Sequence, residues 1–248
     1  PVKVNCIKEG RSPIVEPELA ELIKKGKDSG KLTATLSTEE AVLNSNVSLL
    51  CVGTPSNEDG SLKLDYVRDV CQKIGEVLKN KTEYHVVCLR STCVPGTGRD
   101  IAIPELEKAS GKKEGVDFGF CNNPEFLRES TAVFDYRNPP KIVVGAGNPK
   151  TAEIVMSIYD GIDAPRVITE LLVSEGVKYA DNAWHAMKVG FANELGNILK
   201  ELGVDSHKVM DIFFKDTKLN ISKAYLLPGF AFGGSCLPKD VRAIRSSG

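Results

Sequence analysis

Near the C-terminal end of the chain, Pro228-Gly-Phe-Ala-Phe-Gly-Gly-Ser-Cys-Leu-Pro-Lys-Asp240 puts a cysteine where a thiolate forms readily. Gly229, Gly233 and Gly234 supply a flexible turn before Cys236, and Pro238 stands where a first helical residue would. Cys236 is thereby delivered to a helix N-terminus. Unpaired backbone N–H groups and the positive end of the helix dipole lower a thiol's pKa there, and Lys239 adds a nearby cation. A structural cysteine in a Gly-rich loop is the plainer alternative. Three glycines, a helix-start proline and a Lys-Asp pair favour a reactive thiol.

Further residues able to do chemistry fall in two groups. Gly53-Thr54-Pro55, Ser91-Thr92 and Asn122-Asn123-Pro124-Glu125 each follow an apolar run and are polar and turn-forming. Lys178, Asn182 and His185 recur at spacings of four and three, which on a helix gathers them within roughly 60° of one another. That stripe lacks the Glu/Lys mixture of a solvated face, and Val189 and Gly196 continue it, so it is able to line a pocket. Gly96-Thr-Gly98 lacks the third glycine of a dinucleotide fingerprint and reads as a turn. Glu125 and Glu129 form an i, i+4 pair suited to opening a helix.

The elements that must position these groups alternate through the first two thirds of the chain. Strands are expected at 32–36, 46–52, 84–89, 116–121, 141–145 and 166–168, with helices over 16–25, 64–78, 100–108, 124–134 and 150–159 and a short one capped by Ser37. The nearly continuous apolar strand 46–52 suits a buried parallel position. Such alternation predicts an open, doubly wound α/β sheet, whose ligands bind at the carboxyl ends of the strands. From Thr169 the strands stop. One helix of over thirty residues runs from about Glu170 to Leu202, its broad apolar ridge made of Ala180, Trp184, Met187, Phe191, Leu195, Ile198 and Leu202. Gly203 closes it, and another helix begins at Asp205. A helix of that length suits domain linkage or subunit pairing.

Composition narrows the function classes. With 32 basic and 33 acidic residues in 248 and a net charge of -1, no global field favours nucleic acid or a membrane surface, so an anionic ligand must be held locally. No apolar run reaches the length of a membrane helix, and a signal-peptide pattern is lacking, which gives a soluble, cytoplasmic expectation. Seven cysteines without a C-x-x-C pair or His at metal spacing argue against disulfide and zinc frameworks, and no metal is expected.

Taken in order, Ser12-Pro-Ile-Val-Glu-Pro17, Gly53-Thr-Pro55, Ser91-Thr92, Asn123-Pro-Glu-Phe-Leu-Arg-Glu129, Lys178-x-x-x-Asn182 and Gly233-Gly-Ser-Cys-Leu-Pro-Lys-Asp240 resemble the UDP-glucose/GDP-mannose dehydrogenase family. Trp184-His-Ala-Met-Lys188, Phe191-Ala-Asn-Glu194 and Pro228-Gly-Phe-Ala-Phe232 look most like its GDP-mannose branch. UDP-glucose and UDP-N-acetylmannosamine are the alternative substrates, since Ala224 and Leu227 depart from the GDP-mannose pattern while Tyr225 keeps it. The resemblance implies a truncated doubly wound, Rossmann-like sheet domain followed by an all-α linker and dimerisation domain. Residues 1–168 would be an NAD-binding domain lacking its first βαβ unit, roughly thirty residues. Residues 169–248 would be a central helical domain carrying the catalytic cysteine loop, and a C-terminal domain would be missing as well.

The resemblance further implies NAD as cofactor, a homodimer paired through the long helix, and four-electron oxidation at C6 of a nucleotide sugar. Cys236 would trap the aldehyde as a thiohemiacetal and then carry the acyl group as a thioester. By family position Lys178 and Asn182 would stabilise the oxyanion, Asp240 and Thr92 would position water, and Glu125 would be the general base or orient it. Thr54, Thr92 and Lys239 would approach NAD. Glu125, Lys178, Asn182, His185, Asn193, Tyr225 and Phe230 would contact the substrate, with Glu129 a further acid at hand. The segment alone is expected to show negligible turnover, which leaves a non-catalytic dimerisation module as the reading from another class.

Overall fold

The apolar runs of the first half become the strands of one sheet. Val47–Leu50 (β1), His85–Leu89 (β2), Phe118–Asn122 (β3), Ile142–Ala146 (β4) and Arg166–Thr169 (β5) lie side by side in that order. Every residue of β2 and β3 is buried, as expected for strands covered on both faces, and their sequences accordingly show no polar alternation. The computed structural model of the chain describes residues 2–226, 228, 229, 237, 239, 241 and 242. The chain divides into two units, Pro1–Ala180 and Asp181–Gly248.

In the first unit, helices Val2–Lys8 (α1), Leu19–Asp28 (α2), Thr38–Leu43 (α3), Asp65–Leu78 (α4), Ile103–Ser110 (α5), Ala132–Arg137 (α6) and Pro149–Met156 (α7) accompany the sheet. Because successive strand residues point to opposite faces, β2 serves two cores at once. Val87 and Leu89 join Phe118 and Phe120 beneath Val67, Cys71, Ile74 and Leu78 of α4 and Leu106 of α5. Val86 and Cys88 join Cys121, Ile142 and Val144 beneath Ala152, Val155 and Met156 of α7. The expected cap of α3 is present: Ser37 Oγ accepts the Glu40 N–H at 3.1 Å.

β1, β2 and β3 run parallel, and β5 runs parallel to β4. β4, however, joins β3 antiparallel through Cys121 opposite Ala146 and Asn122 opposite Gly145, so the sheet is mostly rather than wholly parallel. The connection from β3 spends residues 123–131 on an irregular segment and contains only the six-residue α6. The chain therefore returns alongside β3 instead of completing a crossover.

Three local expectations are corrected. Residues 32–36, expected as a short strand, form none, because they find no ladder partner among the described residues. The helix expected over 124–134 is absent before Ala132. Glu125 accepts the Leu127 N–H at 2.6 Å and Ser130 takes a left-handed φ of 67°, both of which stop a helix from starting. The helix expected over 100–108 begins earlier, as a π-helical turn Gly98–Ala102 that runs into α5, with Pro104 inside the first turn of α5 where a missing N–H costs little.

The long helix Leu171–Glu201 (α8) has 31 residues, starts in the first unit and continues into the second. Gly203, at φ 69°, closes it. Asp205 then caps Ser206–Phe213 (α9), its Oδ1 accepting the N–H groups of His207 at 3.0 Å and Lys208 at 3.3 Å. Among the described residues of the second unit none is buried. Phe191 of α8 meets Phe213 of α9 with ring centroids 5.9 Å apart.

Candidate active site

The turns after β1 and β2 are tied together by their polar residues. Thr54 Oγ donates to the Thr92 carbonyl at 2.9 Å and Ser91 Oγ donates to the Val52 carbonyl at 2.6 Å. The hydroxyl of Thr92 makes no hydrogen bond within the described residues, and Gly53 has open space where a side chain would stand. At the end of β3, Asn123 donates to the Val143 carbonyl at 2.7 Å, while its Oδ1 accepts from Arg90 and Tyr159. Asn123 thus fixes the point at which the chain leaves the sheet for Glu125.

The irregular segment that follows is held from three sides. Lys178 of α8 directs its ammonium at the Glu125 carbonyl, 2.6 Å away, and at Glu125 Oε1, 3.0 Å away. The Lys178 side chain keeps only 13% of its exposure, so this contact is largely shielded from solvent. Phe126 lies under two cations, with Lys141 4.6 Å and Lys178 5.6 Å from its ring centroid. Further on, Arg128 makes a two-pronged ion pair to Asp135, which holds that carboxyl well below the usual carboxylate range. Glu16, from the Ser12–Pro17 motif, accepts the N–H groups of Ser130 at 3.0 Å and Ala132 at 2.9 Å. A small recess lies between this segment and the sheet, lined by Arg90, Asn123, Glu125, Phe126, Lys141 and Tyr159 among others.

Of the residues singled out in the sequence, Lys178 and Glu125 are thus brought together, as are Thr54 and Thr92. Glu129 is exposed on the turn before α6. Asn182, His185 and Asn193 are exposed on the part of α8 in the second unit. There Asn193 borders an open recess with Asn197, Ser206, His207 and Met210. Tyr225 is exposed with φ 63°, and Lys239 is exposed. Phe230, Cys236 and Asp240 lie outside the described residues.

Four other cysteines, Cys51, Cys71, Cys93 and Cys121, are poor nucleophiles by environment. Burial pushes up the thiols of Cys51, Cys71 and Cys93, the last two to about 12. A hydrogen bond with Cys88, together with burial, does the same for Cys121.

The sequence motifs contain Glu16 and Asn122 without showing what they bind, and they leave out Ser174 and Glu175 altogether. Asn122 donates to the Leu89 carbonyl at 3.0 Å and accepts from Ser174 Oγ at 2.8 Å. Glu175, only 1% exposed, accepts the N–H groups of Gly96 at 2.6 Å and Gly98 at 2.8 Å, and burial raises its pKa while those bonds lower it. A glutamate early in a helix carries no sign that it is buried. The available signal was Gly96-Thr-Gly98, a turn whose N–H groups converge and call for an anion.

Residues 1–163 match the UDP-glucose/GDP-mannose dehydrogenase family, NAD binding domain, and residues 173–248 match that family's central domain. The chain is 52% identical to the GDP-mannose 6-dehydrogenase of Pseudomonas savastanoi pv. phaseolicola over 98% of its own length and 55% of the relative's. It is similar to the crystal structure of a ternary complex of GDP-mannose dehydrogenase from Pseudomonas aeruginosa, with a TM-score of 0.97 and 51% identity over 99% of this chain and 56% of that one. Against a UDP-glucose dehydrogenase from Pyrobaculum islandicum the TM-score is 0.84 at 37% identity, over 99% and 57%. The chain therefore spans about half the length of the curated relatives it matches. An NAD-binding-domain match over most of the sheet unit and a central-domain match over the helices together show that the chain belongs to the UDP-glucose/GDP-mannose dehydrogenase family.

Proposed function

We propose that the protein to which this chain belongs oxidises the C6 alcohol of a nucleotide sugar to the carboxylate, with GDP-mannose as the substrate. The identity to GDP-mannose 6-dehydrogenases, 52% against 39% for the UDP-glucose 6-dehydrogenase of Haloferax volcanii, favours that sugar. In this reading residues 1–168 bind NAD, and residues 169–248 pair two copies through α8 and carry the Cys236 loop, in the cytoplasm. The exposed Trp184, Met187 and Phe191 support the pairing.

The residues present suit the cofactor. The carboxyl ends of β1 and β2 offer an open Gly53, the tied Thr54 and the unspent hydroxyl of Thr92, as a dinucleotide lying across strand ends requires. When bound, NAD supplies the acceptor for the hydride that leaves C6 in each of two oxidations. Cys236 adds its sulfur to the aldehyde carbon, forming the C–S bond of a thiohemiacetal. After the second hydride has left, the same bond is that of a thioester. Water adds to the acyl carbon, the C–S bond breaks, and the thiolate leaves with its electron pair.

The observation that carries this reading is the Lys178–Glu125 contact. An ammonium has three N–H groups, and Lys178 directs two of them at Glu125. One remains for the oxyanion that forms on each addition, with Asn182 a second donor one turn along α8. Glu125, anchored by Lys178 and by the Leu127 N–H, acts as base toward water, and Asp240 and Thr92 orient that water. Thr54 and Lys239 contact NAD, while His185, Asn193, Tyr225 and Phe230 contact the sugar nucleotide.

The test supplies GDP-mannose and UDP-glucose separately to the full-length protein and follows NADH. Production with GDP-mannose, abolished by Cys236→Ser, is expected. Absence of NADH with any nucleotide sugar, or activity that survives Cys236→Ser, overturns the reading.

A further inference from the structure

The first turn of α8 lies against the sheet where the sequence has removed side chains. A Cβ on Gly98 would stand 2.7 Å from the Phe120 ring and 2.8 Å from Leu171, and one on Gly145 would stand 2.1 Å from Ser174 Oγ. Into this close approach α8 inserts the carboxylate of Glu175. It accepts Gly96 N–H at 2.6 Å and Gly98 N–H at 2.8 Å, and the Cys93 thiol lies 3.9 Å away.

Glu175 is 1% exposed, and among the described residues it has no basic side chain in an ion pair. Arg99 and Asp100, whose charges act on it, are exposed and pair with each other. A buried carboxylate without a cation is a poor way to gain stability, because it is desolvated at a cost that an apolar residue avoids. The arrangement makes sense as registration. Gly96 and Gly98 end the turn that begins at Ser91-Thr92, and Glu175 precedes Lys178 by three residues on the same helix side. One carboxylate therefore ties the Thr92 turn to the helix that carries Lys178, which in turn holds Glu125. Because Glu175 already takes these N–H groups, the turn does not serve as a phosphate site.

We propose that Glu175 is a positioning residue that keeps the Thr92 turn in register with Lys178. The inference rests on the dehydrogenase reading above for its effect on rate, though not for its effect on the turn.

In the full-length protein, Glu175→Gln keeps one acceptor and loses the other. Its kcat is expected to fall about 100-fold, the scale of a 1 Å misplacement, while KM for NAD and for the nucleotide sugar each stay within about threefold. Glu175→Asp, which keeps the charge but is one methylene shorter, falls between. Ser110→Ala, a buried hydroxyl lost from the end of α5, serves as the control for stability alone and is expected to keep its kcat. Hydrogen exchange at Gly96 and Gly98 is expected to quicken at least tenfold in Glu175→Gln relative to β2. An unchanged kcat in Glu175→Gln, or a kcat that falls equally in Ser110→Ala at matched melting temperature, overturns the proposal. Should the wild type make no NADH, the dehydrogenase reading fails and exchange alone decides, with unaltered protection in Glu175→Gln overturning this one. Should neither Glu175 variant fold, the wild type decides: Gly96 and Gly98 amides that exchange as fast as exposed turns contradict the clamp.

Discussion

Leu106 and Ile212 are both branched apolar residues on short helices, yet Leu106 in the first unit is fully buried and Ile212 in the second stands 68% exposed. The contrast holds throughout. The sheet unit closes a core on each face of β2 and β3, whereas the described residues of the helical unit bury none of their side chains. Large apolar residues stand open along one helix, Met187 at 64% and Phe191 at 52% exposure among them, on the surface through which pairing is proposed. The sheet unit holds positions within itself, while the described part of the helical unit leaves its apolar side chains open.

That difference is open to attack in order of expected effect. Leu106→Ala removes a fully buried side chain beneath α4 and β2 and should cost about 3 kcal/mol, read by denaturant titration. A loss below about 1 kcal/mol would deny the sheet unit a tight core.

Acid should act on the same unit. His85 is fully buried between Ser48 Oγ, 2.8 Å from Nε2, and the Ser45 carbonyl, 3.0 Å from Nδ1. Burial chiefly, with a smaller contribution from Lys81, brings its pKa down from 6.5 to about 4. Above pH 6.5 the ring is neutral whether folded or not. Between 6.5 and about 4 the unfolded chain takes up a proton that the folded one refuses, so stability falls by up to about 3 kcal/mol. Denaturant titrations at pH 7 and pH 4.5 should show this loss in the wild type and a smaller one in His85→Gln. Asp135, whose pKa is depressed by Arg128, contributes its own loss only at lower pH. The smallest effect belongs to the open unit: Ile212→Ala should change the stability of the unpaired chain by no more than about 0.5 kcal/mol. Trp184, the single tryptophan, lies in that unit and should lose iodide quenching when two copies associate.

Legibility followed the same division. Where the apolar pattern was unambiguous, helical in α4 and α8 and continuous in β2, the sequence predicted the elements to within a residue or two. It failed where a polar side chain satisfied backbone locally, as Glu125 does with the Leu127 N–H, because propensity cannot see such competition. The reversal of β4 followed from a short helix that was read as a long one. At the site, Lys178 and Glu125 were legible through a resemblance, although 53 residues separate them and no local pattern links them. Glu175 was not, nor was the contact that Glu16 makes, since each acts on backbone N–H groups distant in sequence and leaves no spacing rule behind.

The proposed reaction is a four-electron oxidation carried on one sulfur, with Lys178 and Glu125 as its fixed partners. Its most direct test is a count of NADH formed per GDP-mannose consumed to completion by the full-length protein. Two per sugar, with the uronate as product, is the predicted result. One per sugar with free aldehyde accumulating, or none, would contradict it.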